Sequence, residues 1–155
     1  MGTTRHSLEC QSLSPEWREP LARFFRQLRE AGDDRHFHPH PLSPEEAGKR
    51  ADYLGEDLYY VLVEEENVLG YGILRGWDEG YAVPSLGIVI HPSERGTGLG
   101  RAFMHFLHAA ARRRGADKIR LKVYPDNIRA IKLYRELGYT FEAREAGQLV
   151  GIVDL

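Results

Sequence analysis

Sulfur is scarce in this sequence. Its 155 residues include one cysteine, Cys10, and two methionines, so no internal disulfide can form. No apolar run approaches the roughly 18 residues that a membrane-spanning helix needs. The N-terminal MGTTRHSLEC lacks the apolar core of a secretory leader. These absences predict a chain with no membrane association, placed in a reducing compartment, read as the cytoplasm, and beginning with its own structure. No repeat, low-complexity tract or linker divides it, so residues 1–155 are expected to fold as a single domain, a length at which one core is self-supporting.

The net charge of −2 hides a polarity along the chain. Residues 91–135 carry 11 Lys/Arg against 3 Asp/Glu, and the remainder 10 against 20. A basic segment that contains a glycine turn fits a small polyanion, and the acidic remainder is expected to favour a cationic second substrate. Nucleic acid is not an expected partner, because the bases are spread over helix and strand with few interleaved aromatics.

Hydrophobic periodicity places the elements. A first strand is expected over 5–12. Next comes a helix in SPEWREPLARFFRQLREAG, where Ser14 can cap, Pro15 suits the first position, and Leu21, Phe24, Phe25 and Leu28 recur at helical spacing before Gly32. LSPEEAGKRADYLG repeats the Ser-Pro-Glu-Glu start as a short second helix. LYYVLVEE and VLGYGILRGW flank a hairpin signal, and YAVPSLGIVIHP continues as a third strand of an antiparallel meander. Leu99, Phe103, Phe106, Leu107 and Ala110 form a helical stripe within 98–114, ended by Gly115. DKIRLKVYPD alternates Ile119, Leu121 and Val123 with Lys118, Arg120 and Lys122. Asn127 opens a helix through Leu137 with Gly138 as its C-cap, and YTFEAR and QLVGIVDL are the last strands. The fold class is α+β, a mixed α/β sandwich.

The stretch HPSERGTGLGRAF lies between a strand and a helix, so several backbone amides and the positive end of the helix dipole can converge on one anion. It lacks the Gly-Lys-Ser/Thr of a P-loop and the spacing of a dinucleotide motif. A glycine turn without a ligand is the plainer alternative. Arg95, Gly98 and Gly100, read with Asn127, Ala130, Leu133, Tyr134, Gly138 and Tyr139 downstream, resemble the two motifs of the GNAT superfamily of N-acetyltransferases, and the element order resembles that fold over nearly the whole chain.

The resemblance implies a mostly antiparallel twisted sheet, splayed at an acyl-CoA site and flanked by helices, and an enzyme that acetylates a primary amine of a small molecule or peptide from acetyl-CoA. A binding or sensory module of the same fold that has lost turnover is the alternative. The pyrophosphate is expected on Arg95, Gly96, Thr97, Gly98, Leu99, Gly100 and Arg101, and the pantetheine along Ile88, Val89 and Ile90 with Asn127 and Ala130 nearby. Strand-like addition of an extended arm suits such an edge. Either arginine can equally be a solvated surface charge. Tyr134 matches the position that protonates the leaving thiolate, its plainer reading being a core tyrosine beside Ile128, Ile131 and Leu137. Relatives often dimerise, so a homodimer is open.

The general base is not evident. Many relatives place a glutamate near the start of the strand before the glycine turn, where this sequence has Pro84 and Ser85. Asp78, Glu79, His38 and His40 are candidates, as is a water chain. In DDRHFHPHP, His36, His38 and His40 recur at alternate positions. No acid or cysteine cluster completes a metal set, so no metal is expected and the segment is read as an acceptor-site wall or an inert loop. His91, His105 and His108 read as one turn residue and two on a helix surface.

Overall fold

The computed structural model describes residues 6–155. The first position of the expected opening strand, Arg5, lies outside the described residues. Among the described residues, seven strands form one sheet in the order β1-β2-β3-β4-β5-β7-β6. They are β1 (Leu8–Ser12), β2 (Leu58–Glu64), β3 (Asn67–Arg75), β4 (Ser85–Ile90), β5 (Lys118–Val123), β6 (Thr140–Glu145) and β7 (Gln148–Asp154). Four α-helices flank it: α1 (Arg18–Glu30), α2 (Pro44–Ala51), α3 (Leu99–Arg113) and α4 (Ile128–Glu136). The α+β reading and the antiparallel meander of β2, β3 and β4 hold.

Alternation along β2 shows how the sheet serves two cores. Tyr59, Val61 and Val63 join a cluster with Leu21, Phe24, Phe25 and Leu28 of α1. Leu62, one residue out of phase, joins Phe103, Met104 and Leu107 of α3 and Ile131 of α4. Each fully buried α1 side chain contributes roughly 1.5–3 kcal/mol relative to exposure. Ser43 caps α2, its Oγ accepting from Glu46 N at 3.1 Å. Ser14 makes no side-chain cap, and a 3₁₀ turn over Pro15–Trp17 precedes α1.

Three details differ from the sequence reading. The third strand is shorter than expected, because Gly76 (φ 126°) and Gly80 (φ 84°) turn the chain before Pro84. The α3 stripe is rotated: Phe103, Met104, Leu107, His108 and Ala111 are buried, while Phe106 is 37% exposed and packs edge-on against Tyr60. His108 is therefore a core residue, 5% exposed, bonded at 2.8 Å to the Tyr139 hydroxyl. On α4 only Ile131 and Tyr134 are buried, and Ile128 is 74% exposed.

The geometry that matters for function is the meeting of β4 and β5. They are parallel and share a single register pair, Ser85 with Arg120. Beyond it they part, and α3 and α4 close the gap from one side.

Candidate active site at the splayed strands

The parted strands open a cleft of about 660 Å³. Its floor is Leu86–Ile90 of β4, its far wall is Val123 with Asn127, Ala130, Leu133 and Tyr134, and its mouth is the turn that enters α3. β4 is fully paired with β3 on its other side, so toward the gap it presents a strand edge.

At the mouth, Gly96 (φ 79°) and Gly98 (φ 90°) adopt left-handed conformations that glycine alone takes without strain. A Cβ at Gly98 would meet nothing within 4 Å, so the space above the turn is open. Among the described residues, the backbone amides of Gly98 to Arg101 donate no hydrogen bond to the protein, and the first intrahelical partner of Gly98 O is Ala102 N at 3.1 Å. A run of unspent amides at a helix start is an anion site in its chemistry.

The two arginines of the turn are ion-paired rather than free. Arg95 binds Asp33 at 2.6 Å and the Ile90 carbonyl at 3.3 Å, which ties the turn to the end of α1, and Arg101 pairs with Glu136. Arg129 and Lys132 of α4 line the same cleft. Their spacing on either side of Ala130 was visible in the sequence but not given weight. Thr97 and Leu99 are outside the lining: Thr97 Oγ1 donates to the Glu94 carbonyl at 2.6 Å, and Leu99 packs on the core. Asn127 stands at the start of α4 without a side-chain cap bond, which leaves its amide available to the cleft.

The sequence pattern of the Acetyltransferase (GNAT) family matches residues 17–139. The chain belongs to that family. It is 35% identical over 91 residues to the L-methionine sulfoximine/L-methionine sulfone acetyltransferase of Salmonella typhimurium, a match that covers 56% of this chain and 53% of that protein. The chain thus matches about half the length of that relative. Among solved structures it is similar to the GNAT domain of S. lividans PAT, with TM-score 0.81 and 19% identity over 96% of this chain and 90% of that one. It is also similar to the PaiA N-acetyltransferase of Thermoplasma acidophilum in complex with coenzyme A, with TM-score 0.77 and 16% identity over 96% and 99%. At those identities the structural likenesses establish the fold.

Within this GNAT fold Tyr134 is 8% exposed, borders the cleft, and lies 5.7 Å from Tyr139 between ring centroids. Burial pushes its phenol up to about 12, so it holds its proton throughout the neutral range. Tyr139, whose hydroxyl is bonded to His108, packs against the Tyr134 ring.

A second cleft, about 630 Å³, meets the first at His36, Phe37, Leu86, Gly87 and Lys122. His38 and Glu79 line it. His38 bonds the Tyr124 hydroxyl at 2.7 Å and His36 bonds Asp126 at 3.1 Å, pinning the 36–41 segment across the strand gap. His36 was not singled out as a substrate contact, yet it is the imidazole that faces both clefts. His40 and Asp78 line neither cleft. His40 bonds the buried Tyr71 hydroxyl at 2.9 Å and the Pro41 carbonyl at 2.8 Å, and burial lowers its pKa. Asp78 accepts from Tyr53 and from Glu56 N, bonds that hold its carboxyl below the ordinary range. The three histidines of the segment thus face three different partners. Among the described residues, no group of three His, Cys, Asp or Glu is arranged to hold a metal ion, and no helix is long and apolar enough to cross a membrane.

Proposed function

We propose that this enzyme transfers the acetyl group of acetyl-CoA to a primary amine of a small molecule, with both substrates bound together. The observation that carries the reading is the run of unspent amides from Gly98 to Arg101 at the mouth of a gap between two parallel strands that pair once and then part. These residues fit the donor: the amides and the start of α3 would hold its pyrophosphate, with Arg129 and Lys132 adding positive charge, and the free edge of β4 would hydrogen-bond its extended arm. Acetyl-CoA supplies an activated acyl group as a thioester. The relative named for L-methionine sulfoximine and L-methionine sulfone favours a small-molecule acceptor over a protein.

In this reading the acceptor enters through the second cleft, and the two meet beside Leu86 and Gly87. The neutral amine forms a C–N bond to the acetyl carbon, the C–S bond breaks, and its electron pair leaves on sulfur. Tyr134 donates the hydroxyl proton to that sulfur. A phenol near 12 is a weak acid in isolation, but the same burial that disfavours phenolate disfavours a naked thiolate, so the proton moves as the C–S bond opens. The amine's own proton leaves through the second cleft, toward Glu79, His38, His36 or water.

Tyr134→Phe keeps the ring and removes only the proton donor. It should lower kcat by roughly 10²-fold or more, with acetyl-CoA affinity nearly unchanged. Thiol release with mass-spectrometric detection of the acetylated amine is the assay. A kcat within about threefold of the parent, measured with chemistry rate-limiting, would refute the acid role.

A further inference from the structure

We infer that the amine acceptor carries an anionic group, a carboxylate or a phosphate, which docks on Arg75 and Arg120 in the second cleft. The inference rests on the acetyltransferase reading of the first cleft and adds to it the chemical class of the second substrate. Register makes the case. Arg75 of β3 is the partner of Ser85 on β4, and Ser85 is the partner of Arg120 on β5. Residues in one row across a sheet share a face, with neighbouring strands about 4.8 Å apart, so the two guanidinium side chains rise about 10 Å apart on either side of the Ser85 hydroxyl. All three residues line the second cleft, at the point where β4 and β5 begin to part. That is the end of the cleft next to the junction where the acetyl group must be met.

The charges there are only partly balanced by the protein. Arg75 is half-buried and donates to the Pro39 carbonyl at 2.9 Å, and among the described residues it makes no ion pair. Arg120 and Lys122 alternate along β5 opposite the buried Ile119, Leu121 and Val123, and both lean on one carboxylate, Glu145, at 3.1 and 3.0 Å. Glu145 is half-exposed and lies outside the cleft lining. An incoming anion competes with it at little cost, because such screened pairs are weak. Within the lining, three permanent cations therefore face one carboxylate, Glu79. A polyamine would enter against that field, contrary to the cationic acceptor that the acidic remainder of the sequence led one to expect. The same cations disfavour an ammonium close by and so raise the neutral fraction of the attacking amine.

The test uses matched pairs of amines in the thiol-release assay and, separately, in thermal shift of the protein loaded with CoA. The pairs are L-methionine with L-methionine amide, and glucosamine 6-phosphate with glucosamine, with spermidine as the polycation. The anionic member of at least one pair should show kcat/KM at least about tenfold above its neutral counterpart, and which pair responds separates carboxylate from phosphate. Arg75→Gln and Arg120→Gln should each erase most of that preference through acceptor KM, with acetyl-CoA KM unchanged. Equal or better use of the neutral members, preference for spermidine, or no reaction and no thermal shift with any anionic probe overturns the inference. Acetylation of neutral amines would still leave the acetyltransferase reading standing. Failure of acetyl-CoA itself to bind would instead overturn that reading and this inference with it.

Discussion

Acid should loosen the packing behind Tyr134 through one buried imidazole. His108 sits on α3 at 5% exposure, bonded to the Tyr139 hydroxyl, and burial lowers its pKa from 6.5 to about 4, with Arg112 and His105 adding repulsion. The folded state therefore resists a proton that the unfolded chain accepts. The stability that this histidine contributes is fully present above pH 6.5 and is lost as pH falls from 6.5 toward 4. Linkage gives a loss of about 2 kcal/mol at pH 5 relative to pH 7.5, rising to about 3 kcal/mol below pH 4. Urea denaturation at pH 7.5 and pH 5.0 measures it. His108→Gln keeps a polar partner for Tyr139 and removes the titration, so whatever it costs at pH 7.5, the difference between the two pH values should shrink by about 2 kcal/mol. His40 and His91 are also held neutral by burial and will leave a residual slope in both proteins. A variant that keeps the full parental difference between pH 7.5 and 5.0 would refute the argument, because the acid sensitivity would then lie elsewhere.

Three further substitutions probe the site and the scaffold around it. A Cβ on Gly72 would stand 2.6 Å from Phe103 Cζ and 3.1 Å from Leu107 Cδ1, both fully buried. Gly72→Ala should therefore cost about 1–3 kcal/mol in urea denaturation, since α3 cannot retreat without opening the core. His40→Ala strands the Tyr71 hydroxyl in a fully buried position and should cost about 1–3 kcal/mol. His38→Ala, at an exposed position, should cost under about 0.5 kcal/mol and act instead on acceptor KM, an effect read by steady-state kinetics.

The sequence made the helices and the meander readable because their signals are local. Proline after serine marks the start of α2 and of the 3₁₀ turn that leads into α1, and alternation on β5 names its buried face correctly. The glycine turn and the Asn127-to-Tyr139 motif were legible for the same reason, and they pointed to the family. What stayed hidden depends on distant pairing. The insertion of β7 between β5 and β6 has no local signature. The ion pairs of Arg95 with Asp33 and Arg101 with Glu136 join residues far apart in sequence. His108 read as a surface residue because the α3 stripe was drawn through Phe106 and Ala110. A shift of one or two positions turns the helix face enough to bury the histidine. The row of Arg75, Ser85 and Arg120 spans three strands and exists only once their register is known. Pro84 and Ser85 registered in the sequence only as a missing carboxylate, whereas Ser85 lies between two arginines.

Calorimetric titration of CoA into the protein and two variants at one residue tests the central claim most directly. Gly98 is the N-cap of α3 with φ 90°, and an added side chain there meets open space. Gly98→Asn and Gly98→Asp share the same backbone cost and nearly the same shape. Aspartate suits the helix start better than asparagine does, through the dipole, so the protein itself should not suffer from the charge. A pyrophosphate on the amides of 95–101 would suffer: a negative charge a few ångströms away costs it about 1–2 kcal/mol in a partly exposed site. The account predicts that CoA binds the parent, that Gly98→Asn binds somewhat less tightly, and that Gly98→Asp binds about five- to thirtyfold more weakly than Gly98→Asn. Equal CoA affinity for the Asp and Asn variants would contradict the assignment of this turn to the donor's phosphates.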